Sequence, residues 1–116
     1  MARRYRLYRK SDFARLRHNG RRFVHPLVVL IACPQDTADR LSPNSRFAFS
    51  ASKRVGNAVC RNRAKRLMRE AVRPHLAQIQ PHWDCLFVAR PNTPQAHLTD
   101  IEAAVVQLLK RAQLLH

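Results

Sequence analysis

The sequence predicts an α+β fold with helices layered on a small sheet. Three observations predict it. Apolar residues recur at helical spacing in two windows, from Asn57 and from Thr99 onward. Runs rich in β-branched and aromatic residues, such as FVHPLVVLIA at 23–32, stand between groups of turn formers. The two periods then follow one another as helix, strand, strand, helix, strand, helix, the order of helices packed on a sheet. A chain of 116 residues can bury one modest core but not two, so residues 1–116 are read as a single domain.

Ser11 and Asp12 open the first helix, since the hydroxyl can accept an orphan backbone N–H and the carboxylate complements the helix dipole. Gly20 closes it. Phe13 and Leu16 share one side, with Arg15 and Arg17 projecting around them. The run 23–32 is expected as one strand, bent at Pro26, which has no N–H to donate. The stretch CPQDTADRLSPNS at 33–45 lacks apolar periodicity and reads as a hairpin loop or mobile excursion. RFAFSAS at 46–52 alternates: Phe47, Phe49 and Ala51 share a face suited to a core, while Ala48, Ser50 and Ser52 share the other. That second face is small and polar, so a ligand backbone could approach it closely; a solvated sheet face is the plainer account.

From Asn57 the period becomes helical. Asn57 can cap, Cys60, Ala64, Leu67, Met68 and Ala71 form an apolar stripe, and Pro74 disfavours helix at Arg73. DCLFVA at 84–89 reads as a short apolar strand. Thr99 and Glu102 have the spacing of a capping box for a last helix that faces Ile101, Val105, Leu108, Leu109 and Ala112 inward.

Charge narrows the function. Lys and Arg number 22 against 7 Asp and Glu, a formal charge of +15, which favours a polyanionic partner: nucleic acid first, a membrane surface second. With 46% hydrophobic residues in periodic blocks, the chain is not a disordered basic tail. The longest apolar run, Leu27 to Cys33, is far short of the roughly 20 residues that span a bilayer. Cys33, Cys60 and Cys85 are odd in number and widely spaced, which offers neither a disulfide framework nor a zinc half-site and fits a reducing cytoplasm. MARRYRLYRK is basic but leads into no apolar region, unlike a secretory signal.

The cations concentrate on one helix. At about 100° per residue, Asn62, Arg66, Arg69 and Arg73 fall opposite the apolar stripe, with Lys65 beside them and Arg61 and Arg63 on the flanks. A solvated helix usually alternates acid and base at i, i+4, yet Glu70 is the sole acid here. Such uncompensated repulsion favours an external anion, the alternatives being a plain surface helix or an acidic lipid or protein target. Arg outnumbers Lys, and its planar fork grips phosphate bidentately and stacks on exposed bases, which suits RNA. Lys53, Arg54 and Asn57 stand before the helix N-terminus, whose free N–H groups already favour an anion. Asn57 is read foremost as the cap.

Self-contained catalysis is poorly supported. Asp12, Asp36, Asp39, Glu70, Asp84, Asp100 and Glu102 show no close pair suited to metal or acid–base work, so no catalytic and no metal-binding residue is expected. The six histidines show no ligand spacing. The cysteines read as small buried hydrophobes, Cys60 especially.

Read from Ser52 to Glu70, the pattern S-K-R-x-G-N-A-V-x-R-N-R-x-K-R-x-x-R-E resembles the RNR motif of bacterial ribonuclease P protein subunits, and Ser11-Asp12-Phe13 leading to Gly20 resembles that family's first helix. The resemblance implies a two-layer α/β sandwich: a small, mostly antiparallel four-stranded sheet packed with three helices and joined by a left-handed βαβ crossover. It implies a subunit of the ribonuclease P endoribonuclease, whose RNA performs the catalysis with Mg2+ held mainly by that RNA, removing the 5′ leader of precursor tRNA. The implied partners are ribonuclease P RNA and precursor tRNA, with no membrane and no required protein partner. Arg61, Asn62, Arg63, Lys65, Arg66 and Arg69 would contact the catalytic RNA, alongside Lys53, Arg54 and Asn57. A cleft between the first helix and the sheet would receive the single-stranded leader through Phe13, Arg17, Ala48, Ser50 and Ser52; Arg17 stands where many members carry a second aromatic. For roughly 6 to 10 phosphate contacts, affinity would fall about 10³- to 10⁵-fold between low and moderate salt, with duplex DNA as the guide. The competing expectations are a structural or assembly RNA-binding protein of the ribosomal type and a protein-only nuclease.

Overall fold

The computed structural model describes residues 2–36 and 44–115. Its elements are α1 (Lys10–Asn19), β1 (Arg21–Val24), β2 (Val28–Pro34), β3 (Arg46–Ser50), α2 (Ala58–Val72), β4 (Trp83–Ala89) and α3 (Leu98–Arg111), with 3₁₀ turns at Lys53–Val55 and Arg73–Gln78 among the connections. The four strands form one sheet in the order β1-β2-β4-β3. β1 with β2 and β2 with β4 are antiparallel, and β3 with β4 is parallel, so the sheet is mostly antiparallel as expected. β3, α2 and β4 make the parallel βαβ crossover, for which the resemblance implies the left hand.

Strand alternation divides the sheet into two faces. Val28, Leu30 and Ala32 of β2, Cys85, Phe87 and Ala89 of β4 and Phe47 of β3 join Ala64, Met68 and Ala71 of α2 and Ile101, Val105 and Leu108 of α3 in the main core. Phe49 stacks on Phe87 there, ring centroids 5.8 Å apart. On the opposite face Leu16 of α1 packs with Leu7 and Cys33 in a second, smaller cluster, flanked by Phe13, Ile31, Ala48 and Leu86. Thus α2 and α3 layer on one face while α1 covers part of the other. Gly20 lets α1 end close to the sheet: a Cβ there would lie 2.3 Å from the Leu16 carbonyl oxygen and 2.6 Å from Ile31 Cγ2.

Several local expectations are corrected. The single bent strand at 23–32 is two strands, because Pro26 sits in a turn whose ends are held by His25 N–H donating to the Val28 carbonyl (3.0 Å) and Leu27 N–H donating to His25 Nδ1 (3.0 Å). The first helix starts at Lys10 with Arg9 as N-cap, so Ser11 lies inside it and caps nothing. α3 likewise starts at Leu98 with His97 as N-cap, which puts Thr99 within the first turn; Glu102 Oε1 lies instead 3.1 Å from His75 Nε2. β3 stops at Ser50, two residues short of the run expected. Arg73 keeps helical dihedrals, and Pro74 tightens the chain into the 3₁₀ turn rather than ending it at once. Most of the 33–45 loop, residues 37–43, lies outside the described residues.

Cys33 and Cys85 are buried, but Cys60 is only half-buried, since it stands in the first turn of α2 at the rim of the core. Burial pushes both buried thiols up in pKa; for Cys33 the nearby Arg15 charge opposes this without reversing it. Alkylation at neutral pH is therefore expected to modify Cys60 first and to reach Cys33 and Cys85 only on unfolding, as peptide mass mapping would show.

Gly56, at φ 139° and ψ −158°, occupies a region open essentially to glycine, and a Cβ there would stand 2.9 Å from Cys60 Cβ. Gly56→Ala is expected to cost about 1–3 kcal/mol in a denaturant melt, because it strains the turn that launches α2.

Candidate nucleic-acid interface

α2 is placed by its cap and its stripe. Asn57 Oδ1 accepts the Cys60 N–H at 3.0 Å, fixing the start of the helix. Ala64, Met68 and Ala71 are fully buried, and Leu67 packs partly exposed beside them. The opposite side carries Asn62, Arg63 and Arg66 in the open, with Arg61, Lys65 and Arg69 half-buried. Asn62, Arg63, Lys65, Arg66, Arg69 and the exposed Val59 line a shallow groove of about 690 Å³. Glu70 pairs with Arg73 at 3.4 Å, and among the described residues no acid pairs with Arg61, Arg63, Lys65, Arg66 or Arg69. The repulsion expected from the sequence is thus present in the fold. Lys53 and Arg54 are exposed on the 3₁₀ turn just before the cap.

A second hollow, of about 490 Å³, opens on the α1 side. Leu7 and Phe13 line it, with Phe47, Ala48 and Phe49 of the edge strand β3 and two cations, Arg6 and Arg69. The segment before α1 runs along β3, Leu7 N–H donating to the Phe47 carbonyl at 2.9 Å with a parallel bridge between Arg6 and Phe47. The Arg69 guanidinium lies over the Phe49 ring, 5.4 Å from its centroid. Arg69 therefore borders both concavities and makes them neighbours.

The structure brings Phe13 and Ala48 together, and Ser50 follows Ala48 on the same face, half-buried. It does not bring Arg17 or Ser52 into the lining. Arg17 is exposed on the last turn of α1. Ser52 lies beyond β3, where its hydroxyl accepts the Arg54 N–H at 3.3 Å and caps the 3₁₀ turn. Sequence reading missed Arg6 and Leu7. Their signal was the alternation of Arg4, Arg6 and Tyr8 with Tyr5 and Leu7, a period-2 pattern that fits a segment laid on a sheet edge.

Two acids far apart in the chain, Asp12 and Asp84, converge on the same guanidiniums. Asp84, fully buried, accepts from Arg46 Nε at 3.0 Å and Nη2 at 2.9 Å, from Gln35 Nε2 at 3.3 Å and from Arg15 Nη2. Asp12, 2% exposed, accepts from Arg15 at 3.1 Å and Arg46 at 3.4 Å. Burial lowers the Arg15 pKa, but the hydrogen bond to Asp84 and the surrounding negative charge outweigh it and hold the guanidinium above its ordinary value. At the rim Arg9 lies 3.4 Å from Asp12 and Asp36 lies 3.6 Å from Arg15, so three carboxylates meet three guanidiniums and the buried pair of acids is neutralised within the protein. Among the described residues no group of three or more His, Cys, Asp or Glu gathers as metal ligands, and no helix is long and apolar enough to cross a membrane.

Fold and site together define a class: a basic α+β domain that presents a cationic helix, anchored by its apolar side, next to a cleft at the edge of its sheet. The family model described as Ribonuclease P matches residues 1–113. The chain is 42% identical over 116 residues to the ribonuclease P protein component of Herpetosiphon aurantiacus, covering 100% of this chain and 90% of that one. It is 33% identical to the component of Alkaliphilus metalliredigens, covering 95% of each. The solved Staphylococcus aureus RNase P protein superposes with a TM-score of 0.82 at 28% identity, covering 97% of this chain and 98% of that one. The Thermotoga maritima RNase P protein shares the fold at TM-score 0.77 and 22% identity, over 91% and 96%. The chain belongs to the ribonuclease P protein component family, as a protein subunit of the ribonucleoprotein that matures the 5′ end of tRNA. Nothing in these likenesses supports the ribosomal-type alternative.

Proposed function

We propose that the two concavities divide the work of this subunit. The α2 face, with Arg61, Asn62, Arg63, Lys65, Arg66 and Arg69 and the preceding Lys53 and Arg54, holds ribonuclease P RNA. Asn57 serves it indirectly, by capping the helix. The hollow beside α1 receives the single-stranded 5′ leader of precursor tRNA, with Phe13 as the stacking surface and Arg6 and Arg69 for phosphates. The observation that carries this reading is Arg69, which borders both hollows, so that one strand can pass from the catalytic RNA into the cleft.

Hydrolysis is assigned to the RNA subunit. The described residues do not fit a resident divalent cation, since the one pair of converging acids is taken up by Arg15 and Arg46. Mg2+ belongs with the RNA in this reading, and the assembled particle works in the cytoplasm. Reconstitution at low Mg2+ tests it: adding the protein to its RNA is expected to raise leader removal and to favour precursor over mature tRNA. No gain on adding the protein, or leader removal by an RNA-free preparation, would overturn it.

A further inference from the structure

Four charged side chains meet between α1 and the sheet, Asp12, Arg46 and Asp84 buried and Arg15 half-buried, where neither proposed RNA surface uses them. Asp12 and Arg15 come from α1, while Arg46 and Asp84 are paired positions of β3 and β4. Their charges cancel, and their contacts are directional. Arg46 grips Asp84 with two nitrogens, and Arg15 reaches Asp84, Asp12, the Pro34 carbonyl and Cys33 Sγ.

The apolar contact that could do the same task is small, with only Leu7, Leu16 and Cys33 fully buried in it. Apolar contact is non-directional and leaves a short helix free to slide or turn on its sheet. A guanidinium–carboxylate fork fixes both distance and angle. Buried ion pairs add little net stability over apolar residues of similar size, so four of them at this seam point to placement. What they place is the hollow. Phe13 follows Asp12 directly, and Ala48 stands two residues beyond Arg46 on the same face of β3.

We propose that the Asp12–Arg15–Arg46–Asp84 cluster is a positioning device that sets the spacing between Phe13 on α1 and the edge strand β3, and so tunes the cleft for one stacked strand. The inference rests on the reading of that cleft as the leader site. All four act through Phe13 and β3 and touch no RNA themselves.

The test uses the reconstituted ribonucleoprotein and reads the ratio of affinities for precursor over mature tRNA. Wild type is compared with Asp12→Asn/Arg15→Gln and with Phe13→Ala, following each protein's affinity for ribonuclease P RNA and its thermal melt alongside. The double change leaves the net charge at +15 and keeps the Arg46–Asp84 fork paired. Both variants are expected to lose about 5- to 150-fold in the ratio, the worth of one base stack. Affinity for the RNA and cooperative melting should stay at wild-type values. A merely structural role would lower RNA affinity and ratio together, and that result overturns the inference. If Phe13→Ala lowers the ratio while the folded double variant does not, positioning is refuted and the leader reading stands. If Phe13→Ala leaves the ratio unchanged, the leader reading falls and takes the inference with it. Should the double variant not fold, Arg15→Lys decides, since it keeps the charge without the fork: a lowered ratio at unchanged RNA affinity upholds positioning, and a wild-type ratio overturns it.

Discussion

Asp84→Ala is expected to lower stability by about 3–5 kcal/mol, because it leaves buried cations without their counter-charge. Asp84 sits in β4, a strand paired on both sides, and has no exposure to solvent that could compensate its loss. Its removal would leave Arg46, 8% exposed, beside Asp12, and the half-buried Arg15 between Asp12 and the exposed Asp36. For a domain of this size the total is about 5–15 kcal/mol, so the variant should approach the limit of folding at physiological temperature. The midpoint of a urea melt should fall with its slope unchanged. Replacing Arg46 as well, as Asp84→Ala/Arg46→Leu, should return part of the loss, since the second change removes a stranded charge. A midpoint shift worth less than about 1 kcal/mol would show that the seam is open to water, where ion pairs are worth no more than that.

The second large effect separates the two sides of α2. Arg63→Gln/Arg66→Gln is expected to leave the melt in place while reducing the dependence of log affinity on log salt by about 0.7–0.9 for each phosphate no longer held. Both side chains are exposed and paired with no acid among the described residues, so the fold has little to lose. Met68→Ala should do the opposite: stability falls by about 2–5 kcal/mol, with the salt slope of the folded fraction unchanged. Met68 is the better core probe than its neighbour Leu67, which sequence periodicity puts on the same stripe but the fold leaves half-buried. Similar melts for the two variants would refute the assignment of the faces.

Much of α2 is legible in the sequence, because a helix carries its instructions locally. Asn57 caps it, the apolar spacing selects its inner side, and the cations are what remains. The faces of β3 are readable for the same reason. Boundaries are less so. Ser11 and Thr99 look like caps in isolation, yet each helix begins one residue before its signal, and the nearby acids Asp12 and Glu102 turn to Arg15 and His75. Pro26 signals a break, but whether a strand bends or turns back depends on what its second half pairs with, and here that is its own first half, β1, on one side and β4 on the other. Ser52 falls on an open sheet face only if the alternation is extended past the point where the 3₁₀ turn ends it.

The cleft shows the same division. Phe13 and Ala48 are expected there and line it, whereas Arg17 lies exposed outside the lining, Phe49 is read from alternation as a core residue, and the alternation around Arg6 does not say which sheet edge its segment lies on.

By itself the sequence determined the charge, the helix that concentrates it, the apolar stripe opposite and the motif that marks the family. Only the tertiary structure decided that Asp12 and Arg15 would meet Arg46 and Asp84, and that Arg69 would border two hollows. The physical reason is range: periodicity and capping report how a side chain points relative to its own element, while meetings across 34 to 69 positions of chain depend on how whole faces pack, which no local pattern records.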